Sequence, residues 1–334
     1  MQRPKQTRVV VVTGASAGVG RATVRKFARE GSHIGVIARD TEGLQAAARE
    51  ANELGGQGLA VPADVADADQ VENAAARIEN ELGPIDVWVN NAMTTIFARV
   101  ADVTPAEFKR ATEVTYLGTV YGTMAALRRM LPRNDGKIIQ VGSALAYRSI
   151  PLQSAYCGAK HAIAGFTDSL RTELIHDRKN IHLTMVQLPA MNTPQFTWCR
   201  SKMRNHPQPV PPIFQPEVAA ESIVWASHHK RREVFVGVPT VIVIEANKLA
   251  PAIADYYLGR TGFDSQQTKE PVPGDRPDNL FEPLPGDFGA HGVFEQQAHS
   301  TAATTWLSQH KGSTALAGAA AFGMLAFAVK RWAS

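Results

Sequence analysis

The sequence predicts an α/β fold, a doubly wound parallel sheet with a C-terminal extension that ends in an apolar helix. Three observations carry this. Short runs of β-branched and aliphatic residues alternate with alanine-rich stretches of helical period, the pattern of βαβ units. A glycine-rich turn follows the first of those runs directly. The alternation stops near residue 190, and an apolar stretch, 312–329, stands apart behind a proline- and glycine-rich segment. At 334 residues the chain is too long for one minimal domain and fits a large α/β domain with appended material.

Residues 9–12 (VVVV) form a continuous β-branched run, as in a strand covered on both faces. A helix is expected over 21–30, a second strand over 33–38 (HIGVIA), and an alanine-rich helix over 41–54 that stops at Gly55 and Gly56. Strands over 59–62 and 85–89 flank a helix over 68–82. A long helix over 108–130 leads to a strand over 137–141 (KIIQV); further strands follow at 182–187 and 234–238. Right-handed crossovers place helices on both faces of such a sheet, and ligands bind beyond the carboxyl ends of its strands. The proline-rich stretch 190–216 breaks the rhythm and reads as a lid or substrate loop.

The expected organisation is a catalytic domain over 1–268, a Pro/Gly-rich linker over 269–311 and a terminal segment over 312–334. Eighteen residues of helix would span roughly 27 Å, close to the hydrocarbon thickness of about 30 Å. Lys311 on one side, with Lys330, Arg331 and Trp332 on the other, resembles interfacial flanking, so membrane contact is one expectation. Burial against the globular domain or a partner subunit is the other. The stretch 246–258, with a proline inside, reads as a peripheral apolar contact.

Hydrophobic residues make up 44% of the chain and charged residues 20%, ordinary for a folded protein. The net charge of +4 comes with no basic stripe interleaved with aromatics, which argues against a nucleic-acid partner. The cluster 228–232 (HHKRR) reads as a solvated helix end. Two cysteines, Cys157 and Cys199, allow neither a disulfide framework nor a CxxC metal site. A reducing, cytoplasmic compartment follows as the default. The basic start MQRPKQTR is followed by only about five apolar residues, fewer than the roughly seven to fifteen of a secretory segment.

The turn TGASAGVG places Gly14, Ser16, Gly18, Val19 and Gly20 where the first strand passes into the first helix. A phosphate can rest on backbone N–H groups at a helix N-terminus only where no Cβ intervenes. The turn therefore reads as a dinucleotide cradle of the Rossmann type. After the second strand, Arg39 offers a guanidinium suited to a ribose 2′-phosphate, which points to NADP(H). Asp40, one residue on, would suit NAD(H), but reads better as a helix N-terminal carboxylate.

Together these motifs resemble the short-chain dehydrogenase/reductase family over roughly residues 8–240. The match comprises TGASAGVG, Asp64-Val65, Asn90-Asn91-Ala92, Ser143, the run YCGAK holding Tyr156 and Lys160, Leu188-Pro189-Ala190 and Thr193. The resemblance implies that Asp64 bonds the adenine amino group with Val65 beside it. It implies that Asn90 supports sheet and cofactor, that Asn91 and Ala92 border the cofactor, and that the turn from Pro189 to Thr193 holds the nicotinamide amide. A homo-oligomer and a small-molecule alcohol or carbonyl substrate are expected, with no metal. Two positions depart from the family pattern: Met93 replaces a glycine, and Thr115 replaces the asparagine that helps a proton relay to the lysine.

The chemistry follows from spacing. Residues i and i+4 share a helix face, so Lys160 can sit beside Tyr156. A neighbouring ammonium favours the phenolate and would lower the tyrosine pKa from near ~10. Ser143 can donate to the same substrate oxygen. Tyr156 would then act as general acid in reduction and general base in oxidation. Cys157 and His161 read as structural. The terminal apolar stretch hints at a lipophilic substrate. The alternative is a dinucleotide-binding sensor without turnover, motivated by Thr115; epimerase or dehydratase chemistry on the same fold is a third reading.

Overall fold

The computed structural model describes residues 7–274 and 276–302. The expected apolar helix over 312–329 lies outside the described residues. Among the described residues no helix is long and apolar enough to cross a membrane.

Seven parallel strands form the central sheet: β1 Val9–Thr13, β2 His33–Ala38, β3 Gln57–Pro62, β4 Ile85–Asn90, β5 Gly136–Ser143, β6 Ile181–Leu188 and β7 Glu233–Phe235. Their order is β7-β6-β5-β4-β1-β2-β3. All five residues of β1 are buried, which is why it reads as an unbroken valine run. Because β1 pairs with β2 on one side and β4 on the other, the chain reverses its direction of winding beyond their carboxyl ends. A crevice opens there.

Helices α1 Gly18–Ala28, α2 Thr41–Glu53 and α8 Pro216–His228 cover one face. Helices α3 Ala68–Leu82, α5 Gly118–Arg133 and α6 Ser154–His176 cover the other. Polar starts are set by side chains: Asp40 accepts from the N–H groups of Glu42 and Gly43, and Asp67 does the same for Asp69 and Gln70. The bland reading of Asp40 as a helix cap is thus the observed one. The long helix expected over 108–130 is divided. Helix α4 Pro105–Thr112 passes through a π turn, Glu113–Leu117, into α5.

Two segments differ from expectation. The loop over 190–216 contains a single helical turn, α7 Gln195–Trp198, and short strands at Ala190–Met191, Arg200–Ser201, Asn205–Pro207 and Ile213–Phe214. The expected linker is a larger correction. Gln267–Pro271 pairs antiparallel with Asn205–Pro207, and Ala298–His299 pairs parallel with Ile213–Phe214. Between them Leu280, Ala290 and Phe294 are buried. Proline and glycine remove any regular period from this segment, yet single apolar side chains anchor it, so it lies across the domain as a strap rather than a spacer. Helices α9 Val238–Leu249 and α10 Pro251–Thr261 form a hairpin beside the crevice. Pro251 ends one helix and begins the next. Leu249, Ile253 and Tyr256 on this hairpin are 85%, 72% and 72% exposed.

Candidate active site

The first turn of the site depends on close approach. Gly14 has φ +64°, and a Cβ there would meet the Ala92 Cα at 2.7 Å. A Cβ on Gly20 would meet the Gly14 carbonyl oxygen at 2.1 Å. These glycines let α1 pack directly on the loop after β1 and against the end of β4. Asn91 locks that junction by donating to the carbonyls of Thr13 and Gly14. Asn90 instead joins a buried network with Trp88, Thr123 and Gln140, which supports the sheet.

One cavity of about 830 Å³ runs along the carboxyl ends of the strands, within the range of small-molecule and cofactor sites. Of the residues expected to bind cofactor, Gly14, Ser16, Val19, Arg39, Asp64, Val65, Asn91, Ala92, Pro189 and Thr193 all line it. Gly18 and Gly20 shape the wall from behind. The Gly18 N–H is already engaged, donating to the strap carbonyl of Gly289 at 3.0 Å. Asp64 accepts from the Ala66 N–H and pairs with Arg110, so its carboxylate has partners within the protein. Arg39 donates to the carbonyls of Phe281 and Asn279.

Ser143, Tyr156 and Lys160 line the same cavity. Ser143 ends β5, and the other two stand on consecutive turns of α6. Lys160 Nζ lies 5.5 Å from the centre of the Tyr156 ring and donates to the Val141 carbonyl at 2.6 Å. Burial governs the electrostatics here. It draws the Lys160 amine down to about 8. It pushes the Tyr156 phenol above its ordinary value, while a hydrogen bond with Ser143 pulls the other way. The expected lowering of the phenol by the ammonium runs the other way here: loss of solvation disfavours both charged forms, and the amine is turned to the strand carbonyl.

Thr115 requires a second correction. It is fully buried, lies outside the cavity lining, and its hydroxyl donates to the Thr94 carbonyl while accepting from the Thr94 N–H. It clamps a loop rather than facing the cavity. Cys157 is buried, and His161 Nδ1 lies 2.9 Å from the Cys157 carbonyl oxygen, both in structural settings.

Sequence reasoning missed part of the lining. The strap contributes Asn279, Pro283, Leu284 and Phe288, and α9 contributes Ile242 and Val243. For the strap residues Pro283, Leu284 and Phe288 the only signal in the sequence is isolated apolar character amid proline and glycine; Ile242 and Val243 stand in the aliphatic run VIVI.

A parallel sheet with a glycine turn at its switch point, and a Ser, Tyr and Lys gathered in one crevice, is the arrangement that the comparisons bear on. Residues 8–204 match the family model described as short chain dehydrogenase. The uncharacterised oxidoreductase YxnA of Bacillus subtilis is 32% identical over 266 residues, covering 79% of this chain and 75% of that protein. A 3-dehydrosphinganine reductase of Danio rerio is 33% identical over 192 residues, covering 56% of this chain and 57% of that protein. A metagenomic short-chain oxidoreductase solved in complex with NADP superposes with a TM-score of 0.58 at 26% identity, covering 69% of this chain and 96% of that one. The chain belongs to the short-chain dehydrogenase/reductase family. It is an oxidoreductase that works with a nicotinamide cofactor, NAD(P).

Proposed function

We propose that the protein is an NADP(H)-dependent oxidoreductase acting on an alcohol/carbonyl pair with a long apolar substituent, chiefly in the reducing direction. The observation that carries this reading is the continuous cavity along the strand ends. Along the sheet order, Arg39 and Asp64 stand at the β2–β3 end, Ser143 and Tyr156 near the middle, and Phe196, Val210, Ile242 and Leu258 beyond them. The donor set fits a dinucleotide: a guanidinium at one end, a helix N-terminus in the middle, and a buried amine whose two further N–H groups are available for ribose hydroxyls.

When bound, the nicotinamide supplies or accepts the hydride. The protein's own groups handle the proton. Tyr156, with its pKa held up by burial, keeps its hydrogen at neutral pH and hands it to the substrate oxygen as negative charge develops there. Ser143 donates a hydrogen bond to that oxygen. Lys160 holds a positive or readily gained charge beside them. Support for NADP(H) comes from Arg39 and from the neighbour solved with NADP. The relative named 3-dehydrosphinganine reductase supports a reductase.

NADPH consumption across ketones and aldehydes of graded chain length tests the reading. Tyr156→Phe should lower kcat/KM by at least about a hundredfold while leaving the dissociation constant for NADPH unchanged. Full activity in that variant would remove Tyr156 from the chemistry.

A further inference from the structure

We propose that strap residues 278–281 are a specificity element that holds the Arg39 guanidinium where the 2′-phosphate of NADP(H) is read. The inference rests on the cofactor reading above. The strap itself lies beyond the part of the chain matched to the family, 8–204.

Arg39 extends from the end of β2 on a long flexible stem; burial pushes its pKa down, and Arg110 close by adds to that. Two neighbouring guanidinium groups need acceptors. The strap supplies three consecutive carbonyls. Arg39 Nη2 donates to Asn279 at 2.5 Å and Nη1 to Phe281 at 2.7 Å. Arg110 Nε donates to Leu280 between them, at 3.1 Å. A guanidinium has five N–H donors. Arg39 spends two on the strap and keeps three for phosphate oxygens, in an orientation fixed before any ligand arrives.

The strap is itself held in place. Leu280 is fully buried against Ile96, Ala98, Ala111 and Ala155. Asp278 pairs with Arg200 at 2.8 Å and accepts from the Leu280 N–H. Asn279 donates its N–H to the Trp198 carbonyl in the substrate loop, while its own carbonyl receives Arg39. One residue therefore ties the arginine to the loop bordering the substrate. Arg39 and Asn279 both line the cavity.

The test measures dissociation constants for NADPH, NADH and 2′,5′-ADP by calorimetry on full-length wild type, Leu280→Ala, Leu280→Ile and Arg39→Ala. Wild type should prefer NADPH, and Arg39→Ala should lose most of that preference. Leu280→Ala should lose at least about fivefold of it, as for a weakened charge-assisted bond, with NADH affinity unchanged and 2′,5′-ADP weakened in parallel. Leu280→Ile should restore it. If Leu280→Ala does not fold, Asp278→Asn loosens the same segment without opening the core and should show the same loss.

The failures are distinguishable. An unchanged preference in Arg39→Ala would overturn the cofactor reading and this inference with it. Loss in Arg39→Ala with full preference in the strap variants would overturn the inference alone. Equal weakening of NADPH and NADH by the strap variants, or tighter NADPH binding, would also overturn it, because the strap would then be merely structural or a competitor of the phosphate.

Discussion

Lys160 is a buried amine with a pKa drawn down to about 8 from an ordinary 10.5 by the loss of water around it. At pH 7 the folded protein must keep that charge in a poorly solvated place. Between about pH 8 and 10.5 the unfolded chain binds more protons than the folded one, so stability rises with pH through that window. Lys160→Met removes the cost. Its melting temperature should exceed that of wild type at pH 7, and the gap should close as the pH approaches 10. A gap that stays constant across that range would mean that the amine is not under strain. Residues of this kind are legible in a sequence because their chemistry fixes their spacing. Tyr156 and Lys160 four apart, and glycines at 14 and 20, are demanded by helix geometry and by close approach. Their electrostatics were less legible, because the direction of a pKa shift depends on burial that spacing alone does not convey.

At the scale of elements, the π turn Glu113–Leu117 explains what Thr115 does. The wider turn brings Thr115 against the loop after β4, where its hydroxyl closes both backbone groups of Thr94. Thr115→Val leaves a buried N–H and a buried carbonyl without partners, at about 1–3 kcal/mol for each orphaned group. Denaturant midpoints should fall accordingly while the pH–rate profile stays where it was. A shifted profile with unchanged stability would restore the relay. The seven strands were readable because a sheet covered on both faces requires largely apolar runs. The strands of the substrate loop, two or three residues long, are too short to show any period. The π turn is invisible for a similar reason: one wider turn within a helical stretch barely changes the apolar spacing.

For the whole molecule, the apolar reach of the cavity past Phe196 and Leu258 sets an expectation for substrates. Each added methylene buried there contributes about 0.8 kcal/mol, or roughly fourfold in kcat/KM. A homologous series of ketones should climb at that rate until the cavity is filled and then level off. A flat response from the shortest member would place the substrate outside the apolar arm. The strap that closes this cavity was not legible as such. It works largely through main-chain carbonyls at 279, 280, 281 and 289, which any side chain would permit, and its few anchors, Leu280 and Phe294, are scattered in a sequence that otherwise reads as spacer.

Its attachment has one more consequence. The pairing of Gln267–Pro271 with Asn205–Pro207 and of Ala298–His299 with Ile213–Phe214 fastens both footings to a single loop. Such a span is an arch, not a trapdoor: it has no free edge to swing. Its middle is pinned as well, by Leu280 in its own apolar cluster and by the Gly289 carbonyl on the Gly18 N–H.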